Sequence, residues 1–375
     1  MSYSRERPRL RDLGITVGAG DPGPLNAITD VDGVRVGHVT LIKTDGSFDL
    51  GRGPVRTGVT AIHPHEGSVF RALVPAAIEI LNGAGEITGR SQIDEYGTLE
   101  TPILITNTFS VGAVHQGCVE WLTAREPDLG TSEFVVPVVA ETYDGFLNDI
   151  AGQHVTPQHA KEALDSASAA PVAEGNVGGG TGMILFGFKG GVGTASRRVA
   201  ISGSDYTVGV LIQGNFGSRT DLLIDGVPVG REIIDFQLEG SKQRKAKEGS
   251  VIVVIATDAP LSDRQLSRLC RRGVLGLGRV GAIAGNSSGD LLIAFSNARE
   301  CRAPRRNQGP FVAQTHLRDD VIDALFRSTI EATSEAVLNA LIAAETMTGR
   351  DGNRAHALPH VQLLEIMRRY GRLRS

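Results

Sequence analysis

Ser250 follows Gly249 where a strongly charged segment, Ser241-Lys242-Gln243-Arg244-Lys245-Ala246-Lys247-Glu248, gives way to an unbroken apolar run, Val251 to Ala256. Charged chain belongs at the surface, and a Val/Ile run of this length belongs in a buried strand. The Gly249–Ser250 bond therefore lies where exposed chain enters the core, and glycine there permits strained backbone. This arrangement suits a chain that cuts itself and exposes Ser250 as a new amino terminus. An N-terminal serine carries a nucleophilic hydroxyl and an α-amine that acts as its base. An ordinary serine at a loop–strand junction is the competing reading.

Two further polar clusters end apolar runs: Glu141-Thr142-Tyr143-Asp144 after Phe134–Ala140, and Asn215-Phe216-Gly217 after Tyr206–Gln213. Rigid strands place such residues well for a site, although Asn, Asp and Gly also serve as plain turn formers. Other chemistries are less well supported. Gly276-Leu277-Gly278-Arg279-Val280-Gly281 matches G-x-G-x-x-G, but a capped basic helix precedes it where a nucleotide fold needs a strand. A turn is expected there, and a glycine-loop nucleotide-binding protein is the alternative of a different class. The run Gly175 to Gly182 lacks the Gly-Lys-Ser/Thr ending of a phosphate loop and reads as a close backbone approach. His63-Pro64-His65-Glu66, His154/His159 and His356/His360 lack a metal-binding pattern, so no metal or cofactor is expected. No G-x-S-x-G pentapeptide stands at a strand–helix turn.

The elements that must hold these residues are short. The 47 glycines among 375 residues favour strands, tight turns and close backbone contacts over a helical bundle. Strands are expected at Val34–Ile42, Gly58–Ile62, Pro102–Thr106, Phe134–Ala140, Met183–Phe188, Asp205–Gln213, Ala282–Ala284 and Leu291–Ser296. Helices are expected at Pro75–Leu81, Val111–Arg125, from Thr156-Pro157 to about Ser168, from the capping box Ser262-Asp263-Arg264-Gln265 to about Arg272, Asp319 to about Thr346, and Leu358–Tyr370. The charged bridge Glu239–Glu248 reads as a surface loop of one α+β domain spanning 1–375. Net charge is −4, which gives no electrostatic footprint for nucleic acid. No apolar run reaches the length of a membrane span, and the charged N-terminus has no apolar stretch behind it. With three scattered cysteines, the chain reads as a cytoplasmic protein.

Taken together, several segments resemble the self-processing L-aminopeptidase D-amidase/D-esterase and β-peptidyl aminopeptidase family. They are Leu25–Val34 with Val36-Gly37-His38, Asn107–Gly112, Glu141–Gly145, Gly175–Gly182, Gln213–Gly217, Gly249-Ser250 and Ser288-Gly289-Asp290, in family order over nearly the whole chain. The resemblance implies a four-layer αββα sandwich like that of N-terminal-nucleophile hydrolases, with different strand connectivity. It implies a zymogen cut into an α chain, 1–249, and a β chain, 250–375, and an oligomer of αβ units, often a tetramer. It implies Ser250 as nucleophile, with Ser288 and Asp290 nearby to position and activate it. Asn215 would belong to the oxyanion hole, Tyr143 would line the site, and Glu141 would bind the substrate's free amino group. Some relatives carry glutamate at position 290, one methylene longer. Small peptides, amino-acid amides and esters are the implied substrates. The related ornithine acetyltransferases, which use threonine, make acyl transfer the alternative within the same architecture.

Overall fold

The computed structural model describes residues 7–45, 47–240, 248–305 and 309–373. The strands that frame it are β1 (Arg35–Lys43), β2 (Val55–His63), β3 (Ala72–Gly83), β4 (Ile103–Asn107), β5 (Val138–Thr142), β6 (Gly191–Ile201), β7 (Ser204–Asn215), β8 (Glu248–Thr257) and β9 (Ser287–Ser296). They form two sheets. One runs β1-β2-β4-β5, and the other runs β3-β9-β8-β7-β6 with two-residue strands at Thr98–Leu99 and Ala303–Pro304 added on β3. β4–β5 and β8–β9 pair parallel, and the other neighbours pair antiparallel.

Burial explains the layering. One apolar cluster lies between the sheets and includes Ile62, Ile105, Ala140, Leu211, Ile252, Val254 and Leu291. A second packs helices α1 (Val111–Thr123) and α2 (Pro157–Asp165) on the outer face of the first sheet. A third packs α3 (Asp263–Arg279) and α4 (Asp323–Ala343) on the outer face of the second sheet. The result is the expected four-layer αββα sandwich.

Side chains on a strand alternate between faces, and this sets up the site. On β8, Ile252, Val254 and Ala256 face the inter-sheet core while Val251, Val253 and Ile255 face the helices. Helix α3 starts where its capping box predicts: Gln265 N donates to Ser262 Oγ at 3.3 Å, and Ser262 N donates to Gln265 Oε1 at 3.0 Å.

Several expectations are corrected. Pro75–Leu81 is not a helix but the middle of β3. Its alanines tolerate either state, and pairing with β9 decides. Helix α3 does not stop near Arg272 but continues to Arg279, through the glycine motif expected as a turn. Gly276 lets two helices touch: a Cβ on it would stand 2.7 Å from both Ile330 O and Thr333 Cβ of α4. Residues 282–284 form no strand, β5 begins only at Val138, and Met183–Phe188 splits into the hairpin Ile184–Leu185/Phe188–Lys189. Strand β6 was not anticipated, because it carries the charged Arg197. That residue is fully buried and paired with Glu331 and Glu335. Residues 241–247, the core of the expected surface loop, lie outside the described residues.

Candidate active site

Ser250 is the third residue of β8, in the middle of the second sheet, and is buried. Its ladder partners are Asn215, the last residue of β7, and Gly289 of β9. By alternation Ser250 projects into the inter-sheet space, as does Asn215, which follows Leu211 and Gln213 on the same face. The Ser250 hydroxyl donates to the carbonyl oxygen of Gly249 at 2.7 Å. The hydroxyl thus rests on the carbonyl group of the peptide bond that precedes it.

Asn215 is clamped at both ends of its amide. Oδ1 accepts from Ile184 N at 2.9 Å, and Nδ2 donates to Tyr143 O at 2.7 Å. Tyr143 is half-exposed, with its ring over Gly145. Gln213, one step deeper on β7, ties the two sheets together: Nε2 donates to Thr106 O at 3.0 Å and to Thr142 Oγ1 at 2.8 Å. These bonds bring the end of β5, and with it Glu141, to the end of β7.

Glu141 is buried. One carboxylate oxygen accepts from Glu86 N at 3.0 Å and the other from the Thr108 hydroxyl. Burial pushes its pKa above the usual carboxylate range, more than these two donors pull it down, and the charge of Glu86 adds to the rise. The loop before Glu86 links Glu141 to Gly289, the strand neighbour of Ser250. A Cβ on Gly85 would lie 3.1 Å from both Glu141 Oε1 and Gly289 Cα.

Ser288 and Asp290 stand on β9 beside the same peptide bond but on the other face of the sheet. Asp290 precedes Leu292 and Ala294, which face the helices. Ser288 Oγ donates to Asp290 Oδ1 at 2.6 Å, and Asn82 Nδ2 donates to Asp290 Oδ2 at 3.1 Å. Burial raises the Asp290 pKa against these two hydrogen bonds. Ser288 is the ladder partner of Gly249. The pair borders a cleft of about 1260 Å³ walled by Leu81, Phe216, Leu275, Ile283 and Phe326, with Gly249 at its rim. The backbone nitrogen of Ser250 lies in the plane of the sheet, between the hydroxyl on one face and the Ser288–Asp290 pair on the other.

All six residues singled out in the sequence therefore gather around one peptide bond. The sequence reading missed their supports: Thr108, the Glu86 amide, Asn82 and Gln213. Thr108 and Gln213 lie within segments that carry the resemblance, whereas Asn82 and Glu86 stand near the end of β3 with no singled-out residue beside them in the sequence. The histidines take protein partners. His63 bonds Leu164 O, His154 pairs with Asp149, His356 with Glu239, and His360 with Ile342 O. Among the described residues no three His, Cys, Asp or Glu side chains gather as a metal site. Nor, among them, is any helix long and apolar enough to cross a membrane.

Known proteins resemble this chain over nearly its whole length. The chain is 47% identical over 381 residues to the β-peptidyl aminopeptidase BapA of Sphingosinicella microcystinivorans, a match covering 99% of this chain and 94% of that one. Among solved structures, the L-aminopeptidase D-Ala-esterase/amidase of Ochrobactrum anthropi superposes with a TM-score of 0.91 at 45% identity, covering 98% of this chain and 100% of the other. The PH0078 protein of Pyrococcus horikoshii OT3 superposes with a TM-score of 0.92 at 47% identity, over the same shares of the two chains. The model of peptidase family S58 matches residues 26–355. The chain belongs to peptidase family S58 and is a hydrolase of the aminopeptidase type.

Proposed function

We propose that this aminopeptidase makes its own nucleophile by cutting the Gly249–Ser250 bond, and then releases N-terminal residues from peptides, amides or esters that carry a free amino group. The observation that carries the reading is the Ser250 hydroxyl, 2.7 Å from the Gly249 carbonyl oxygen at the start of a buried central strand.

In maturation, Ser250 Oγ attacks the Gly249 carbonyl carbon and its proton passes to the departing nitrogen. The acyl group has then moved from nitrogen to oxygen. Water hydrolyses the ester, leaving residues 1–249 with a carboxylate and residues 250–375 with a free α-amine. That nitrogen lies beside Ser288, whose hydroxyl is held by Asp290. The α-amine, with an ordinary pKa of about 7.7–8.0, takes the hydroxyl proton in later turnovers, and the Ser288–Asp290 pair orients it.

In turnover, Ser250 attacks the carbonyl that follows the substrate's first residue. The Asn215 amide, fixed by Ile184 and Tyr143, stabilises the oxyanion on the nucleophile's face of the sheet. Glu141 pairs with the substrate ammonium, and Tyr143 lines the entrance. Water then resolves the acyl-enzyme. β-Peptides, as for the BapA relative, and D-alanine amides or esters, as for the Ochrobactrum enzyme, are the substrate classes to assay first.

Intact mass under denaturing conditions tests the reading. Wild-type protein should give two species, one beginning Ser250-Val251-Ile252. Ser250→Ala should stay one 375-residue chain without activity. A cut or active Ser250→Ala protein would remove the assignment.

A further inference from the structure

Lys189 is a fully buried charged residue without a function in the account above. It closes the hairpin next to Asn215. Its ammonium donates to three backbone carbonyls: Gly190 O at 2.7 Å, Met183 O at 2.8 Å and Gly180 O at 3.4 Å. An ammonium in such a place forfeits its hydration, so it persists only where each donor finds an acceptor and a countercharge lies near.

The nearby countercharge is Asp144, also buried, which closes the Glu141–Asp144 cluster. Its Oδ1 accepts from Asn148 Nδ2 at 3.0 Å. The chain between the two charged residues packs tightly, since a Cβ on Gly182 would lie 2.9 Å from Asp144 Cβ. Burial pushes Asp144 up to about 7 against hydrogen bonds from Thr57, Asn148 and Asn107, and pushes Lys189 down to about 7 against the attraction of Asp144.

What this cage holds is the peptide Met183–Ile184. The carbonyl of Met183 receives the Lys189 ammonium and also Gly190 N at 3.0 Å. The Met183 sulfur accepts from the Thr142 hydroxyl at 3.0 Å. The N–H on the far side of that peptide, Ile184 N, fixes Asn215 Oδ1. The other end of the Asn215 amide is fixed by Tyr143 O, the residue before Asp144. Each described clamp on Asn215 therefore lies within one residue of the Lys189–Asp144 assembly.

We propose that Lys189 is a positioning residue for catalysis: by holding the Met183–Ile184 peptide it sets the direction in which Asn215 presents its amide to the reacting carbonyl. The inference rests on the oxyanion role proposed for Asn215. An oxyanion donor acts through its aim, and removing one costs about 10²–10³ in rate. Loosening the clamp should cost part of that, about 10–100-fold in kcat. The KM of free-amine substrates should stay within about twofold, because Glu141 and its donors do not touch the hairpin.

A double-mutant cycle separates positioning from mere stability. Lys189→Met, Asn215→Ala and the double variant are compared by kcat per cut molecule and by the rate of cutting at Gly249–Ser250, followed by intact mass. If Lys189 acts through Asn215, Lys189→Met lowers both rates in the parent and changes them less than about twofold once Asn215 is alanine. Multiplying losses in the double variant would make Lys189 a structural residue and overturn the inference. So would an unchanged kcat in folded, cut Lys189→Met protein. Should Lys189→Met fail to fold, Lys189→Gln keeps an NH₂ donor in the cage and enters the same cycle. A harmless Asn215→Ala would instead sink the oxyanion reading itself, which the cycle reports separately.

Discussion

At the scale of single residues, the site holds two buried carboxylates, each on two neutral donors. Asp290 takes its hydrogen bonds from Ser288 and Asn82, and Glu141 takes its from Glu86 N and Thr108, with no described cation beside it. A buried carboxylate so placed favours a cation brought by the substrate. Glu141→Gln should lower kcat/KM for free-amine substrates at least about 30-fold, equivalent to about 2 kcal/mol for a lost buried charge pair. N-acylated analogues should change far less, and an equal loss for both would remove the anchoring role. Because burial raises the Glu141 pKa, the charged form needed for pairing is lost as pH falls through a value above the usual carboxylate range. The acid limb of kcat/KM should reflect this and vanish in Glu141→Gln. The stability sign is the reverse. A folded pKa above the unfolded one means the native state holds the extra proton, so its stability falls as pH rises between the two values. Glu141→Gln should therefore melt no lower than wild type at pH 7, and the two should converge below about pH 4. A lower melting temperature at neutral pH would mean that Glu141 is already paired.

At the scale of elements, the glycines of α3 give opposed expectations within one helix. A Cβ at Gly276 meets the α4 backbone at 2.7 Å, while at Gly278 nothing lies within 4 Å. Gly276→Ala should destabilise by about 1–3 kcal/mol through overpacking, although alanine is the better helix former. Gly278→Ala should stabilise by several tenths of a kcal/mol from propensity alone. Urea titration of both decides, and equal effects would deny the close helix contact. The same contact shows which parts of the structure were legible in the sequence. The start of α3 was, because Ser262 and Gln265 cap it locally. Its end was not, because Gly276 is explained by a helix more than fifty residues later. Strand β8 was legible from its apolar run, whereas Pro75–Leu81 carried no local sign that it pairs with β9. The six residues around Gly249–Ser250 were legible by type and by resemblance. The placing of Ser250 and Asn215 on one face of the second sheet and of Ser288 and Asp290 on the other was not, since it depends on the parallel register of β8 and β9. Lys189 left only a faint trace, one lysine within the apolar, glycine-flanked stretch Met183 to Gly191.

At the scale of the whole molecule, a buried ionic network joins segments on either side of the proposed cut. Glu335 of α4 receives Arg11 Nε at 2.7 Å, Arg197 Nη2 at 2.7 Å and Asn26 Nδ2 at 2.5 Å. Glu331, one turn earlier, receives Arg197 Nε at 3.2 Å and the amides of Ala19 and Gly20 at 3.1 and 2.9 Å. The proposed cleavage after Gly249 would make all of these bonds interchain, since every donor lies in 1–249 and both acceptors in 250–375. Covalent continuity is then replaced by packing and by this network. Burial alone would raise the Glu335 pKa, but Arg11, Arg197 and Asn26 outweigh it and hold the pKa below the usual range. A depressed folded pKa adds stability that is complete above the unfolded value, about 4.3, and is lost as pH falls through the lower folded value. Glu335→Gln leaves the fully buried Arg197 short of a countercharge, at a cost of about 3 kcal/mol. Denaturant unfolding of the cut protein should show that deficit at pH 7 and a shrinking one below about pH 4. Size exclusion should show wild-type chains co-eluting at neutral pH and the variant's chains separating at lower denaturant. If the deficit were the same at every pH, Glu335 would be acting through shape rather than charge, and the tie between the two chains would have to lie in the apolar core that α4 shares with β6 and β7.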